Sequence, residues 1–251
     1  MASCARAEPA LAPVYTRGLR MGPMGFTTHP HWVAQAYAQL LVRLGGTLLR
    51  AQVHALEPQG ARVRVPTSGE ALVCDAVVVA AGAWSGALLR PLGLRLPLIA
   101  ERGYHLTFAD PGIALNHVVS ELEWQVAVTS MEPGLRIAGT EEIGLADDPP
   151  AWHRADLLGA HARRMFPAAR LQNGSRWMGP RPGTPDSLPA IGPLPRHPNV
   201  FVAAGHGHLG LTGAPRTGRL IAALVTGQPP ELAVERYAPD RFENGALGEP
   251  R

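Results

Sequence analysis

Six consecutive residues near the end of the chain combine three glycines with two histidines: Gly205, His206, Gly207, His208, Leu209 and Gly210. An apolar run from Val200 to Ala204 precedes them, and Leu220, Ile221 and Leu224 follow at helical spacing. Strand, glycine turn and helix is an arrangement that lets a ligand approach bare backbone. The helix start adds unpaired N–H groups and a partial positive charge. The glycines fit G-x-G-x-x-G literally, but two features oppose a dinucleotide fingerprint. The helix runs out at Gly227 before Pro229 and Pro230, with no strand to carry the acidic ribose partner expected about 20 positions on. His206 and His208 are also bulky where a pyrophosphate loop stays small, so the turn is expected to hold another end of a cofactor.

Arg181, between Pro180 and Pro182, is the next residue with chemical promise. Prolines stiffen the backbone that carries the guanidinium, which suits a bidentate grip on a carboxylate, and a structural ion pair suits it equally. Tyr104 and His105 fit either pocket lining or sheet packing. The pairs His29/His31 and His206/His208 lack acidic or cysteine partners nearby, so no metal site is assigned. Glu141/Glu142 and Asp147/Asp148, before Pro149, read as a solvated turn.

Composition narrows the chemistry. Of 251 residues, 46% are hydrophobic and 17% charged, as in a globular protein. All 23 basic residues are arginine. Schiff-base, pyridoxal-phosphate and P-loop chemistry require lysine and are excluded. The arginines form no basic stripe, which argues against nucleic acid as a partner. Cys4 and Cys74 are too few for a disulfide framework, and Cys74 reads as a buried small hydrophobe. No apolar run reaches the roughly 18 residues of a membrane span, and MASCARAEPALAP makes no signal peptide, so a cytoplasmic protein is the expectation.

The elements that would position these residues can be read in order. Residues 1–28 resemble the fringe of a larger structure. A helix is expected from Pro30, with Val33, Ala36, Tyr37, Leu40, Leu41 and Leu44 as its apolar stripe and Gly45-Gly46 as its end. Residues 47–56 and 61–66 read as strands about a Pro58–Gly60 turn. Leu72 to Ala81 reads as one strand buried on both faces, opening through Gly82 into a short helix ending at Leu89. Short alternating strands between 97 and 139 predict an antiparallel sheet, and residues 149–166 a helix. The proline- and glycine-rich stretch from Ser175 to Pro195 reads as a long ordered loop.

Four ordered blocks resemble the FAD-dependent D-amino-acid oxidase and dehydrogenase superfamily: Val77–Phe108 (VVVAAGAWSGALLRPLGLRLPLIAERGYHLTF), Gly134–Gly144, Met178–Gly192 and Gly205–Ala222. The likeness is strongest to bacterial D-amino-acid dehydrogenases and runs from about Pro9 to Phe242. It implies an α/β fold joined to an antiparallel-β (α+β) substrate unit, an incomplete FAD/NAD(P)-binding-type fold. The expected division is residues 1–30 as fringe of the substrate domain, 31–96 and 185–251 as parts of the FAD-binding domain, and 97–184 as the antiparallel substrate domain.

The resemblance also implies roles. Arg181, Tyr104 and His105 would meet the substrate. Val53, Ala81 and Gly82 would meet the adenine and ADP side of FAD. The turn formed by His206, Gly207, His208, Leu209, Gly210, Leu211 and Thr212 would face the flavin ring. No residue is assigned as catalytic, because hydride would pass from the Cα of a D-amino or secondary amino acid to flavin N5. The family's own G-x-G-x-x-G lies on an N-terminal βαβ unit that this sequence lacks. The alternative is therefore a non-catalytic fragment, or a subunit whose partner chain supplies that unit. A contact with an electron carrier or with the inner-membrane surface is the further partnership this reading allows.

Overall fold

The computed structural model describes residues 4–22 and 25–242, which divide into two compact units. Of the described residues, the first comprises 4–22, 25–48, 102–142 and 148–179, and the second 49–101, 143–147 and 180–242. The sequence reading expects changes of unit at 30/31, 96/97 and 184/185; the nearest changes between the two compact units fall at 48/49, 101/102 and 179/180.

The first unit begins with the short helix α1 (Cys4–Ala7), followed by the buried Glu8. The Glu8 carboxylate accepts the backbone N–H groups of Asn116 (2.9 Å) and His117 (3.1 Å), which ties the N-terminal segment into the unit. Helix α2 (Pro30–Arg43) starts where expected: Pro30 occupies the first turn and the His29 ring nitrogen accepts the Trp32 N–H. Its predicted stripe is present but stays uncovered. No α2 residue is buried, and Trp32, Tyr37 and Leu41 are about half exposed.

The remaining elements, in chain order, are β1 (Glu57–Gln59), β2 (Arg62–Val65), β3 (Leu72–Cys74), β4 (Val77–Val79), α3 (Ser85–Leu89), β5 (Ile99–Phe108), β6 (Val119–Glu121), β7 (Val126–Met131) and β8 (Gly134–Gly144). Helix α4 (His153–Met165), β9 (Ser175–Gly183), β10 (Ala190–Leu194), β11 (His197–Ala204) and α5 (Gly210–Val225) complete the chain. A five-stranded sheet of order β6-β7-β8-β5-β9 dominates the first unit, and its β6/β7 and β7/β8 pairs are antiparallel as predicted. Period-2 alternation along β5 and β7 sends Tyr104, Leu106, Phe108, Val126 and Val128 into one core. The α4 face carrying Ala155, Leu158, Ala162 and Met165 closes that core.

The second unit holds two three-stranded sheets, of order β1-β2-β3 and β10-β11-β4. In the latter, β11 pairs parallel with β4 and antiparallel with β10. Val79, Leu89, Leu94, Val200 and Val202 form the core on one side, while Phe201, Leu220 and Ile221 pack α5 on the other. This is the parallel arrangement expected when both faces of a strand are covered.

Three local expectations are corrected. Residues 47–56 form no strand beyond an isolated bridge at Val53, and Pro58 lies inside β1, so the hairpin turns at Gly60–Ala61. The apolar run from Leu72 breaks at Asp75-Ala76 into β3 and β4, which belong to different sheets; Cys74, on β3, is half-buried rather than buried. The supposed loop from Ser175 contains β9 and β10. Both are edge strands, where a proline removes no ladder hydrogen bond that the sheet needs.

Candidate active site

The second unit gathers the cofactor candidates. Strand β11 ends at Ala204, and Gly205 (φ 82°) and Gly207 (φ 50°) take left-handed conformations that turn the chain into α5. A Cβ on Gly205 would collide with Thr184. Residues Gly207–Leu209 form a 3-10 turn directly ahead of Gly210, the first residue of α5, so His206 to Thr212 wrap a helix N-terminus. His206 packs beside Gly210 and Gly213 in the first turn of α5, and its Nε2 lies 2.9 Å from Thr217 Oγ1.

Burial pushes the His206 imidazole below its ordinary value of 6.5, which favours the neutral ring. The unfolded chain therefore binds more protons than the folded one below that pH. The stability contributed by neutral His206 is complete above pH 6.5 and falls away as the pH drops towards the depressed folded value. A His206→Gln variant is expected to show a flatter fall in Tm between pH 7 and 5 than the parent. Thermal scans across that range check it, and parallel curves would show that His206 carries no such linkage.

Gly82 (φ 56°) opens a second 3-10 turn after β4, and no heavy atom lies within 4 Å of where its Cβ would stand. Ala81 caps that turn through its carbonyl, which accepts the Trp84 N–H. Val53 bridges Thr67, and the bonds His54 N–H to Pro66 O and Ser68 N–H to Gln52 O flank the pair. In an antiparallel bridge of this kind the backbone groups of Val53 itself point away from Thr67. Open space above Gly82, the outward backbone groups of Val53 and the N-terminus of α5 form a donor set that fits a flavin dinucleotide approached through the backbone.

Arg181 is half-buried on β9 in the same unit. Beyond it, a Cβ on Gly183 would run into the Glu101 carboxylate, which occupies that space. Glu101 Oε2 also lies 3.4 Å from His208 Nε2. The sequence reading missed Glu101, whose only signal is an acid near the start of a strand that buries one face.

In the first unit, Tyr104 and His105 leave β5 on opposite faces. Tyr104 is 1% exposed; its hydroxyl donates to Glu142 Oε1 (2.5 Å) and accepts the Ala151 N–H (2.9 Å). Burial, then the Glu142 carboxylate, raises its pKa, and the hydrogen bond from Tyr104 lowers that of Glu142. Arg102, only 4% exposed, reaches Glu142 Oε1 at 3.2 Å, and Arg154 Nε donates to Glu142 Oε2 at 3.1 Å. Glu142 is therefore the centre of a largely buried polar network and not part of a solvated turn. His105 instead stacks on Trp177 of β9, with ring centroids 4.7 Å apart and planes at 16°. Gly179 leaves the space that the Trp177 ring fills.

Residues 1–224 match the family FAD dependent oxidoreductase (DAO). The chain belongs to this family. It is 37% identical over 243 residues to a D-amino-acid oxidase of Bradyrhizobium diazoefficiens, covering 94% of this chain and 57% of the relative. It is 38% identical over 250 residues to a D-amino acid dehydrogenase of Methylobacterium radiotolerans, covering 96% and 59%. The chain thus spans less than two thirds of the length of the curated relatives it matches. Glycine oxidase from Geobacillus kaustophilus superposes with a TM-score of 0.74 at 26% identity, covering 82% of this chain and 56% of that one. L-proline dehydrogenase from P. horikoshii gives 0.73 at 26% identity, covering 86% and 60%. FAD is the cofactor of the DAO family, and the backbone-lined turns at Gly82 and Gly207 are compatible with it. Among the described residues, no helix is long and apolar enough to cross a membrane.

Proposed function

We propose that this DAO-family chain takes part in oxidising the Cα–N bond of a D-amino or secondary amino acid, yielding an imine that water converts to a 2-oxo acid with release of ammonia or, from a secondary amine, of the amine. The observation that carries the reading is Arg181, held between prolines on β9 in the unit that also bears the glycine turn. FAD, when bound, supplies the hydride acceptor.

The residues of the chain do the rest. Arg181 fixes the substrate carboxylate with two parallel N–H bonds and so sets which face of Cα is presented. His206 to Thr212, with the start of α5 behind them, offer N–H groups and partial positive charge to an electron-rich ring. Val53, Ala81 and Gly82 hold the adenine side through backbone groups. His105, backed by Trp177, borders the substrate, and Tyr104 keeps β5 in place from the core side.

A second reading, in which the chain works with a partner chain carrying a βαβ unit, is supported by the uncovered apolar face of α2. Titrating the purified chain with FAD separates the two. Independent function predicts a bound flavin spectrum with resolved vibronic structure and quenched fluorescence. A spectrum that stays that of free FAD would sink independent catalysis.

A further inference from the structure

Strand β9 carries an arginine and, two residues on, a glycine whose side-chain space is occupied by the Glu101 carboxylate. Residues two apart on a strand share a face and lie roughly 7 Å apart. The Arg181 side chain therefore leaves β9 on the same face that Gly183 presents to Glu101. One Glu101 oxygen lies over Gly183, and the other, Oε2, faces Gly207 and His208.

Oε2 is buried and makes no hydrogen bond, since His208 Nε2 at 3.4 Å is within ion-pair distance without bonding alignment. A carboxylate oxygen removed from water without a donor is costly, and such oxygens are normally satisfied. What Oε2 lacks is an N–H donor. A cation on one side and an anion on the other of a single strand face match the two ends of a zwitterionic amino acid, whose carboxylate and amine are one carbon apart.

We propose that Glu101 is the amine-recognition residue: its Oε2 accepts an N–H of the substrate amine while Arg181 holds the carboxylate. Gly183 and Gly207 keep the space around that carboxylate clear of side chains, and His208 holds it from the cofactor turn. This rests on the proposed function and adds a requirement to it. The ligand must carry a basic amine, and a secondary amine suffices because one N–H is enough.

The test is calorimetric titration of the full chain, in the presence of FAD, with D-proline and with cyclopentanecarboxylate, which keeps the ring and the acid but lacks the amine. The parent is expected to prefer D-proline by at least tenfold. Glu101→Gln, close in shape, should abolish that preference while changing cyclopentanecarboxylate affinity less than twofold. A preference that survives in Glu101→Gln, or equal losses for both ligands, overturns the assignment. Arg181→Ala serves as the separate check on the functional reading. If it leaves both affinities unchanged, the carboxylate role fails whatever Glu101 does, and if the parent binds neither ligand, both proposals fall.

Discussion

Glu142→Ala is expected to destabilise the first unit by about 3 kcal/mol, the low end for breaking a buried ion pair. The reason is what the substitution leaves behind. Arg102 is 4% exposed and cannot discard its charge, while Tyr104, buried in the core, loses the acceptor for its hydroxyl. The loss is kept to the low end because Arg102 Nη2 still donates to the carbonyls of Asp148 (2.6 Å) and Pro149 (2.8 Å). Glu142→Gln should cost about half as much, since the amide oxygen can still accept from Tyr104 and only the charge is lost.

Urea unfolding followed by intrinsic fluorescence measures both variants, with Tyr104→Phe and the double variant closing a cycle. A coupling energy near zero would show that the two groups contribute independently. The pH dependence has a definite sign. The Glu142 carboxyl is depressed, chiefly by the Tyr104 hydrogen bond, so its contribution is complete above the ordinary value of 4.5 and is lost as pH falls through the folded value. An alanine variant that unfolds within 0.5 kcal/mol of the parent would remove the network from the list of things that hold this unit.

What the sequence revealed and what it hid follow from how far each signal reaches. Helix α2 was legible because Pro30 and the spacing of its leucines are local facts, yet its lack of burial is a tertiary fact that periodicity cannot carry. Strands β9 and β10 were hidden by Pro180, Pro182 and Pro193, because the rule against proline in strands holds for central strands and these lie at sheet edges. The glycine turn was legible as strand, turn and helix, since Gly205, Gly207 and Gly227 sit where positive φ is needed. Adjacent acids before Pro149 looked solvated, and only the approach of Arg102 and Arg154 makes Glu142 a structural centre. Glu101 was invisible for the same reason: its meaning depends on Gly183, some eighty positions away, and on His208.

Arg181→Ala is expected to weaken binding of carboxylate ligands by about 100-fold, the equivalent of about 2.7 kcal/mol, without altering a bound flavin spectrum. The magnitude follows from losing two charge-assisted hydrogen bonds at a half-buried position, each contributing about 1.5–3 kcal/mol before the ligand's rehydration is counted. Arg181→Lys should recover only part of the loss, because an ammonium is a point charge and cannot reproduce the planar fork. The decisive comparison is between an acid and its primary amide. The parent should favour D-proline strongly over D-prolinamide, and the alanine variant should bind the two almost equally, since the charge that distinguishes them has gone. Stiffness matters as well as charge. Pro180 and Pro182 fix the backbone from which the guanidinium projects, so Pro182→Ala, which leaves the arginine in place, should weaken the acid severalfold through lost preorganisation alone. An alanine variant at 181 that still prefers the acid over the amide would assign the carboxylate grip to another residue and reduce Arg181 to a structural ion pair.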